Sequence, residues 1–374
     1  MTAVSSSNSR SPLTLDTLRR YAVARTLFNP ITLSRAVDRL GFVQADPIRA
    51  PARAQDLILR HRVAGYTAGD LERRYPRLSV EEDYFINYGF LPRRHMPLLH
   101  PRTPRRTWDE ATAGRAQQVL DFIRERGPTH PREVEAELGH GQVKNYWGGQ
   151  SNATTHLLEG LHHRSLLRVA RRESGTRVYD ALERPPVDDS GAAREARAQA
   201  LVDLVVRLYA PMPAAHVGRL VTLLGYGAPQ LKTETRAVAK AWRKRYAHQE
   251  LDGTLWLWPA DEDPASRRFH LEEDDLSVRL LAPFDPIVWD RRRFEQLWGW
   301  AYRFEAYTPE AKRKLGYYAL PLLWRDQVIG WGNLRVEEGR LVAELGYVNA
   351  PPRSRAFKSA LEAELSRMSQ FLGL

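Results

Sequence analysis

The sequence predicts an α+β fold: tandem winged-helix (helix-turn-helix) units, each a set of short helices closed by a β-hairpin, leading into a C-terminal antiparallel β-rich lobe. Three observations carry this. Apolar stripes at helical spacing, punctuated by Gly and Pro, come in threes and are followed by short alternating runs at residues 166–181. The same order of elements recurs with different residues and ends at Asp252-Gly253, a strong hairpin signal. Beyond about residue 276 the helical period gives way to period-two alternation.

Composition sets the bounds. A chain of 374 residues, 43% of them hydrophobic, has material for two or three domains with real cores. No apolar run reaches membrane-spanning length, and residues 1–13, rich in Ser, read as a disordered tail with no signal-peptide core. Cysteine is absent, which removes disulfides, thiolate metal sites and cysteine nucleophiles and fits the cytoplasm. The net charge is +11, and only seven of the 56 cations are lysine. An arginine-rich basic chain suits a phosphate backbone, although a GC-rich genome gives the same bias.

In the first block, 14–100, Thr14 is a plausible N-cap for a helix to about Phe28, which Asn29-Pro30 breaks. A second helix follows Thr32, with Leu33, Ala36, Val37 and Leu40 as its stripe and Gly41 as its stop. A third spans about Pro51 to Arg62, and residues 71–75 and 81–88 look like further helix. Between the second and third helices lies Val43-Gln44-Ala45-Asp46-Pro47. In extended chain Gln44 and Asp46 share a face, and Pro47 holds Asp46 in the β or polyproline region. The arrangement is either a small catalytic or ligand-gripping pair or an ordinary capping turn.

After a basic linker at 101–114, the block 115–183 carries helices over 117–126, 131–138 and 152–163, then strands at 166–170 and 176–181 around Glu173-Ser174-Gly175. A linker at 183–193 precedes the block 194–262, with helices over 196–209, 214–224 and 233–246 and a hairpin. Its third helix region carries Arg236, Lys240, Arg243 and Lys244: either a solvated basic face or a recognition helix meeting phosphates. The lobe 276–374 holds alternating runs at 278–281, 320–323, 328–331, 333–336 and 341–345, then a helix over 352–371. Most of the ten tryptophans lie after residue 240 and read chiefly as core or interface material.

No Walker loop, Rossmann fingerprint, His-Glu-x-x-His pair or Gly-x-Ser-x-Gly elbow occurs, so nothing in the sequence calls for a metal or a cofactor. What stands is a basic chain of repeated helix–hairpin blocks with one polar pair.

Together these elements resemble the AlkZ/YcaQ-like DNA glycosylases over most of the chain. Gln44-Ala45-Asp46 is similar to the family's Gln-hydrophobic-Asp motif at the end of the first helix pair. Further similarity lies in Arg168-Val169-Ala170-Arg171-Arg172 with Val178-Tyr179-Asp180, in Leu281-Ala282-Pro283-Phe284-Asp285-Pro286 with Trp289-Asp290-Arg291, and in the strings 302–309 and 312–321. Two strings depart from the family: Asn87 stands in a stretch that often ends in histidine, and Gly332-Asn333-Leu334-Arg335 replaces an acidic, lysine-containing one.

The resemblance implies tandem winged helices cradling duplex DNA, a monofunctional glycosylase acting on N7-alkylguanine-type bases, bulky adducts and interstrand crosslinks, and no cofactor or metal. It implies Gln44 and Asp46 as the catalytic pair; Arg168, Arg171 and Arg172 on the hairpin, with Arg236, Lys240, Arg243 and Lys244, are the expected DNA contacts. A cytoplasmic, nucleoid-associated monomer is expected, with no membrane partner. The rival readings are a non-catalytic winged-helix DNA-binding regulator and a protein-interaction scaffold.

Overall fold

In the computed structural model the described residues are 13–104, 107–139, 141–144, 150–183, 186–270 and 276–374. The expected tail lies almost wholly outside them, as do Arg105-Arg106 and Arg184-Pro185 of the two linkers.

Thr14 caps α1 (Leu15–Thr26) through a reciprocal pair with Thr17. α2 (Leu33–Leu40) buries Leu33, Ala36, Val37 and Leu40 and ends on Gly41 at φ 74°, a left-handed turn that glycine adopts without a Cβ penalty. This turn feeds β1 (Val43–Gln44). α3 (Ala54–Leu59) is shorter than expected, because Arg53 is still extended. After α4 (Asp70–Arg74) come β2 (Val80–Tyr84) and β3 (Tyr88–Pro92), an antiparallel hairpin to which β1 adds in the order β1-β3-β2. The helix-like reading of residues 81–88 is therefore corrected. Glu81-Glu82-Asp83 mimics a solvated helix face, but arginines distant in sequence reach these acids and bury them on a strand.

α5 (Met96–Leu99) leads to the next block. α6 (Glu110–Arg126) starts inside the supposed linker, because Asp109 accepts the Thr112 N–H at 2.7 Å and caps it. α7 (Pro131–Leu138) follows, then the ribbon β4 (Gln142–Lys144) and β5 (Gln150–Asn152), and α8 (Ala153–His163). β6 (Leu167–Glu173) and β7 (Thr176–Ala181) close the block with Ser174 and Gly175 at the tip, and Thr129 bridges to Tyr179.

α9 (Gly191–Tyr209) and β8 (Met212–Pro213) precede α10 (Ala214–Thr222) and α11 (Lys232–Lys240). β9 (Tyr246–Leu251) and β10 (Thr254–Pro259) turn at Asp252-Gly253 as expected, in the order β8-β10-β9. α11 stops at Lys240, so Arg243 and Lys244 sit on a separate 3-10 turn and not on the expected helix. In the last lobe β11 (Val278–Leu280), β12 (Leu320–Trp324), β13 (Gln327–Glu337) and β14 (Arg340–Tyr347) form an antiparallel sheet in chain order. The two runs expected at 328–336 are one strand. α12 (Arg291–Trp298), capped by Asp290 and stopped by Gly299, was not foreseen; α13 (Arg355–Leu372) was.

Among the described residues the contacts divide into two compact units. One comprises residues up to Asn29 with Val206–His216 and Trp242–Leu374; the other is Pro30–Val205 with Val217–Ala241. The blocks 14–100 and 194–262 each contribute to both. The first unit packs Leu18, Tyr21 and Ala22 of α1 with Trp256, Trp258 and Leu297, and Trp298, Trp300 and Trp331 lie against a neighbouring cluster around Phe294. These late tryptophans are core material. The second unit holds β1 and the polar pair. Among the described residues no helix is long and apolar enough to cross a membrane.

Candidate active site

β1 pairs with β3 through Val43 opposite Phe90 and Gln44 opposite Gly89, and the Ala45 N–H extends the ladder to the Tyr88 carbonyl at 3.0 Å. This edge fixes the backbone of the polar pair. Gln44 is buried at 5% exposure, yet its Oε1 accepts no hydrogen bond among the described residues. A buried amide oxygen left open in this way is available to accept from a ligand group or a water. Asp46 is half-buried. Its Oδ1 accepts the Ile48 N–H at 3.0 Å, and its own N–H points at Gln55 Oε1 at 3.4 Å. The first bond is the Asx turn that the capping reading anticipated. It occupies one carboxylate oxygen and leaves Oδ2 without a hydrogen bond among the described residues.

The electrostatics single out this carboxylate. Burial raises the Asp46 pKa, opposed only by the Ile48 N–H; no cation holds it down. The acids of β2 behave in the opposite way. Burial also pushes Glu82 and Asp83 up, but Arg172 and Arg177 on the first, and Arg102 and His100 on the second, bring both below the ordinary carboxylate range. Glu82 and Asp83 are thus locked anions, whereas Asp46 stands apart with one oxygen available.

The expected DNA contacts fall into two groups. Arg168 is committed to Glu81 by two hydrogen bonds, at 3.2 and 2.9 Å, and Arg172 to Glu82 and to the Gly175 carbonyl. Their first role is to fasten the β6–β7 hairpin to β2 by buried ion pairs. Arg171 pairs with Glu173 at 2.7 Å and is 42% exposed. Arg236 and Lys240 lie on the exposed side of α11, opposite buried Thr235, Val238 and Ala239, with no acidic partner among the described residues. Arg243 and Lys244 are exposed too, with the Arg243 guanidinium over the Trp242 ring at 4.8 Å.

Several residues escaped the sequence reading. Arg177 lies over the Tyr88 ring at 4.3 Å and bonds Glu82 at 3.1 Å, beneath the strand that carries Ala45's partner. Arg49 and Arg53 follow the polar pair closely. Their spacing after Asp46 was a signal, but the chain holds too many arginines for two more to stand out. His100 sits between Asp83, at 2.6 Å, and the Ser165 hydroxyl, an arrangement with the look of a nucleophile relay. Burial of all three, with Arg102 also on Asp83, makes it a structural lock. Asn87 closes the β2–β3 turn, and Asn333 donates to the Leu315 carbonyl at 2.7 Å.

Comparison with known proteins places the fold and the family. The fold is similar to that of Streptomyces sahachiroi DNA glycosylase AlkZ, with a TM-score of 0.61 and 14% sequence identity, covering 97% of this chain and 98% of that one. Residues 37–371 match the family described as DNA glycosylase AlkZ-like, a span that includes both Gln44 and Asp46. The chain belongs to the AlkZ-like family and is a DNA glycosylase.

Proposed function

We propose that this enzyme hydrolyses the N-glycosidic bond of N7-alkylguanine-type bases in duplex DNA, bulky adducts and interstrand crosslinks included, with Gln44 and Asp46 as the catalytic pair. The observation that carries the reading is the open polarity at β1: a buried Gln44 Oε1 without a partner beside a half-buried Asp46 with one free oxygen and no countercation.

Alkylation at N7 makes the base cationic, so it departs as a neutral alkylguanine and leaves an oxocarbenium-like sugar. Asp46 stabilises that charge and takes a proton from the water attacking C1′. The carbon–nitrogen bond breaks, a carbon–oxygen bond forms, and the product is an abasic site. Gln44 orients the water through its open oxygen. The motif holds no lysine nucleophile, which favours water over a Schiff base and hence a monofunctional enzyme. A cationic base that already protrudes into the groove needs no tight extrusion pocket, in keeping with bulky substrates.

We further read the helix–hairpin blocks as tandem winged helices that cradle DNA, with Arg171, Arg236, Lys240, Arg243 and Lys244 facing phosphates, and the enzyme as a cytoplasmic, nucleoid-associated monomer. The test is release of 7-methylguanine and unhooking of a nitrogen-mustard crosslink by wild type, Gln44→Ala and Asp46→Ala. Full activity of Asp46→Ala overturns the catalytic assignment; release of the simple base without unhooking confines the substrate to monoadducts.

A further inference from the structure

The β6–β7 tip meets the chain just beyond the polar pair. Gly175, at φ 86°, lies so close to two guanidinium groups that a Cβ there would stand 2.5 Å from Arg53 Nη2 and 3.7 Å from Arg49 Nη2. Two like charges are thus gathered at one spot on the surface, with Arg172 behind them. Arg53 feels this: burial lowers its pKa first, and the charges of Arg49 and Arg172 lower it further, against the pull of Asp56 and Glu82.

The nearby acids are already engaged. Glu72 pairs with Arg53, Glu82 takes Arg172 and Arg177, and Asp56 holds the Tyr66 hydroxyl at 2.7 Å and the Gly69 N–H at 3.1 Å. Arg49 is exposed and has no acidic partner among the described residues. Arg53 and Arg172 thus have their carboxylates, and the one charge at the tip without an anion among the described residues is that of Arg49, set against two other guanidinium groups. Arginine, with its planar fork of donors, is suited to a phosphodiester.

We propose that Arg49, with Arg53 behind it and the Gly175 tip as its floor, grips a backbone phosphate flanking the damaged nucleotide. Arg49 lies three positions after Asp46, with only Pro47 and Ile48 between them, a reach of at most about 11 Å in extended chain. A phosphate held there belongs to the strand whose sugar faces Asp46. The site rests on the glycosylase reading above and adds to it the register: this contact sets which sugar stands before the carboxylate.

The test is binding of wild type, Arg49→Gln and Arg49→Lys to a duplex with one tetrahydrofuran abasic analogue, measured by fluorescence anisotropy over a salt series. It is repeated with a neutral methylphosphonate at each linkage flanking the analogue. Arg49→Gln is expected to weaken binding on the order of tenfold and to reduce the salt slope by about one. Arg49→Lys keeps the slope. One methylphosphonate costs wild type a similar factor and costs Arg49→Gln nothing more. An unchanged slope in Arg49→Gln, or methylphosphonates that weaken the variant as much as wild type, overturns the site. Base release from 7-methylguanine duplex by wild type is scored separately. If wild type releases no base while the Arg49 effects hold, the catalytic reading falls and the phosphate site stands.

Discussion

Gln44 sits directly across from Gly89 in the antiparallel pairing of β1 with β3, and position 89 has room for nothing larger than hydrogen. A Cβ there would overlap the Val43 carbonyl oxygen and stand 2.6 Å from the Phe42 ring. The glycine lets a two-residue strand lie close against the hairpin, and the strand in turn sets the backbone of the polar pair.

Gly89→Ala is therefore expected to push β1 off β3. The cost in stability is about 1–3 kcal/mol, typical of overpacking. Base release should fall by more than the lost folded fraction explains. Urea denaturation alongside single-turnover excision separates the two effects; a variant that unfolds more easily but cleaves normally per folded molecule denies β1 its positioning role.

Asp46→Asn should lose excision on the order of 10²- to 10⁴-fold, the range for removal of an acid–base group. It should also melt higher than wild type at neutral pH. Burial raises the folded-state pKa of Asp46 above its unfolded value. This carboxyl therefore contributes stability below its unfolded pKa, and that contribution is lost as pH rises through the folded pKa. At pH 7 the ionised group costs stability, and asparagine removes the cost. For the same reason the acid limb of the wild-type kcat/KM profile should lie above the value of an ordinary aspartate. A variant that melts lower at pH 7 and higher at acid pH contradicts this.

Gln44→Ala is expected to cost only the packing of its buried stem, about 1–2 kcal/mol, because its Oε1 makes no bond to lose. Activity should fall at least tenfold while binding to an abasic-analogue duplex holds. Calorimetry and single-turnover kinetics on the same preparation decide it; a large drop in melting temperature assigns Gln44 to the core.

Glu82→Gln should be among the most damaging substitutions. The side chain is wholly buried and answers both Arg172 and Arg177. Removing its charge leaves Arg172 without a counterion and Arg177 with Glu159 alone, at about 3–5 kcal/mol. Chemical denaturation measures this directly, and a loss under 1 kcal/mol contradicts the buried network.

The cations should separate by assay. Arg172→Ala is expected to lower thermal stability, since its partner is Glu82. Arg236→Ala and Lys240→Ala should leave the melting temperature alone and each reduce the salt slope of DNA binding by about one. If Arg236→Ala and Lys240→Ala leave the slope untouched, α11 is a solvated face.

Local chemistry decided much of this protein before folding. Thr14, Gly41, Pro131 with Gly139, and Asp252-Gly253 each mark a boundary through a cap or turn that a few adjacent residues settle, and the structure has them there. The stripes of α2 and the alternation of the last lobe were legible because burial follows a period. Gln44 and Asp46 stood out as a motif, and as a resemblance, on residue type alone.

The charges took their meaning only from the fold. Glu81-Glu82-Asp83 lay in a stretch that read as helix; Arg168, Arg172 and Arg177 arrive from a later hairpin, and Arg102 from beyond the next strand, and make the run a buried strand. The same pairing commits Arg168 and Arg172 to β2, while Arg49, unremarkable in sequence, is exposed with no acidic partner among the described residues. Whether an ionic group is locked or available depends on partners brought by long-range packing, and a sequence lists charges without their partners. The polar pair at β1 could be named from five consecutive residues; that Gln44 is buried with its oxygen open, and Asp46 half-buried with no cation beside it, was decided by β3, Gly89 and the turn at Ile48.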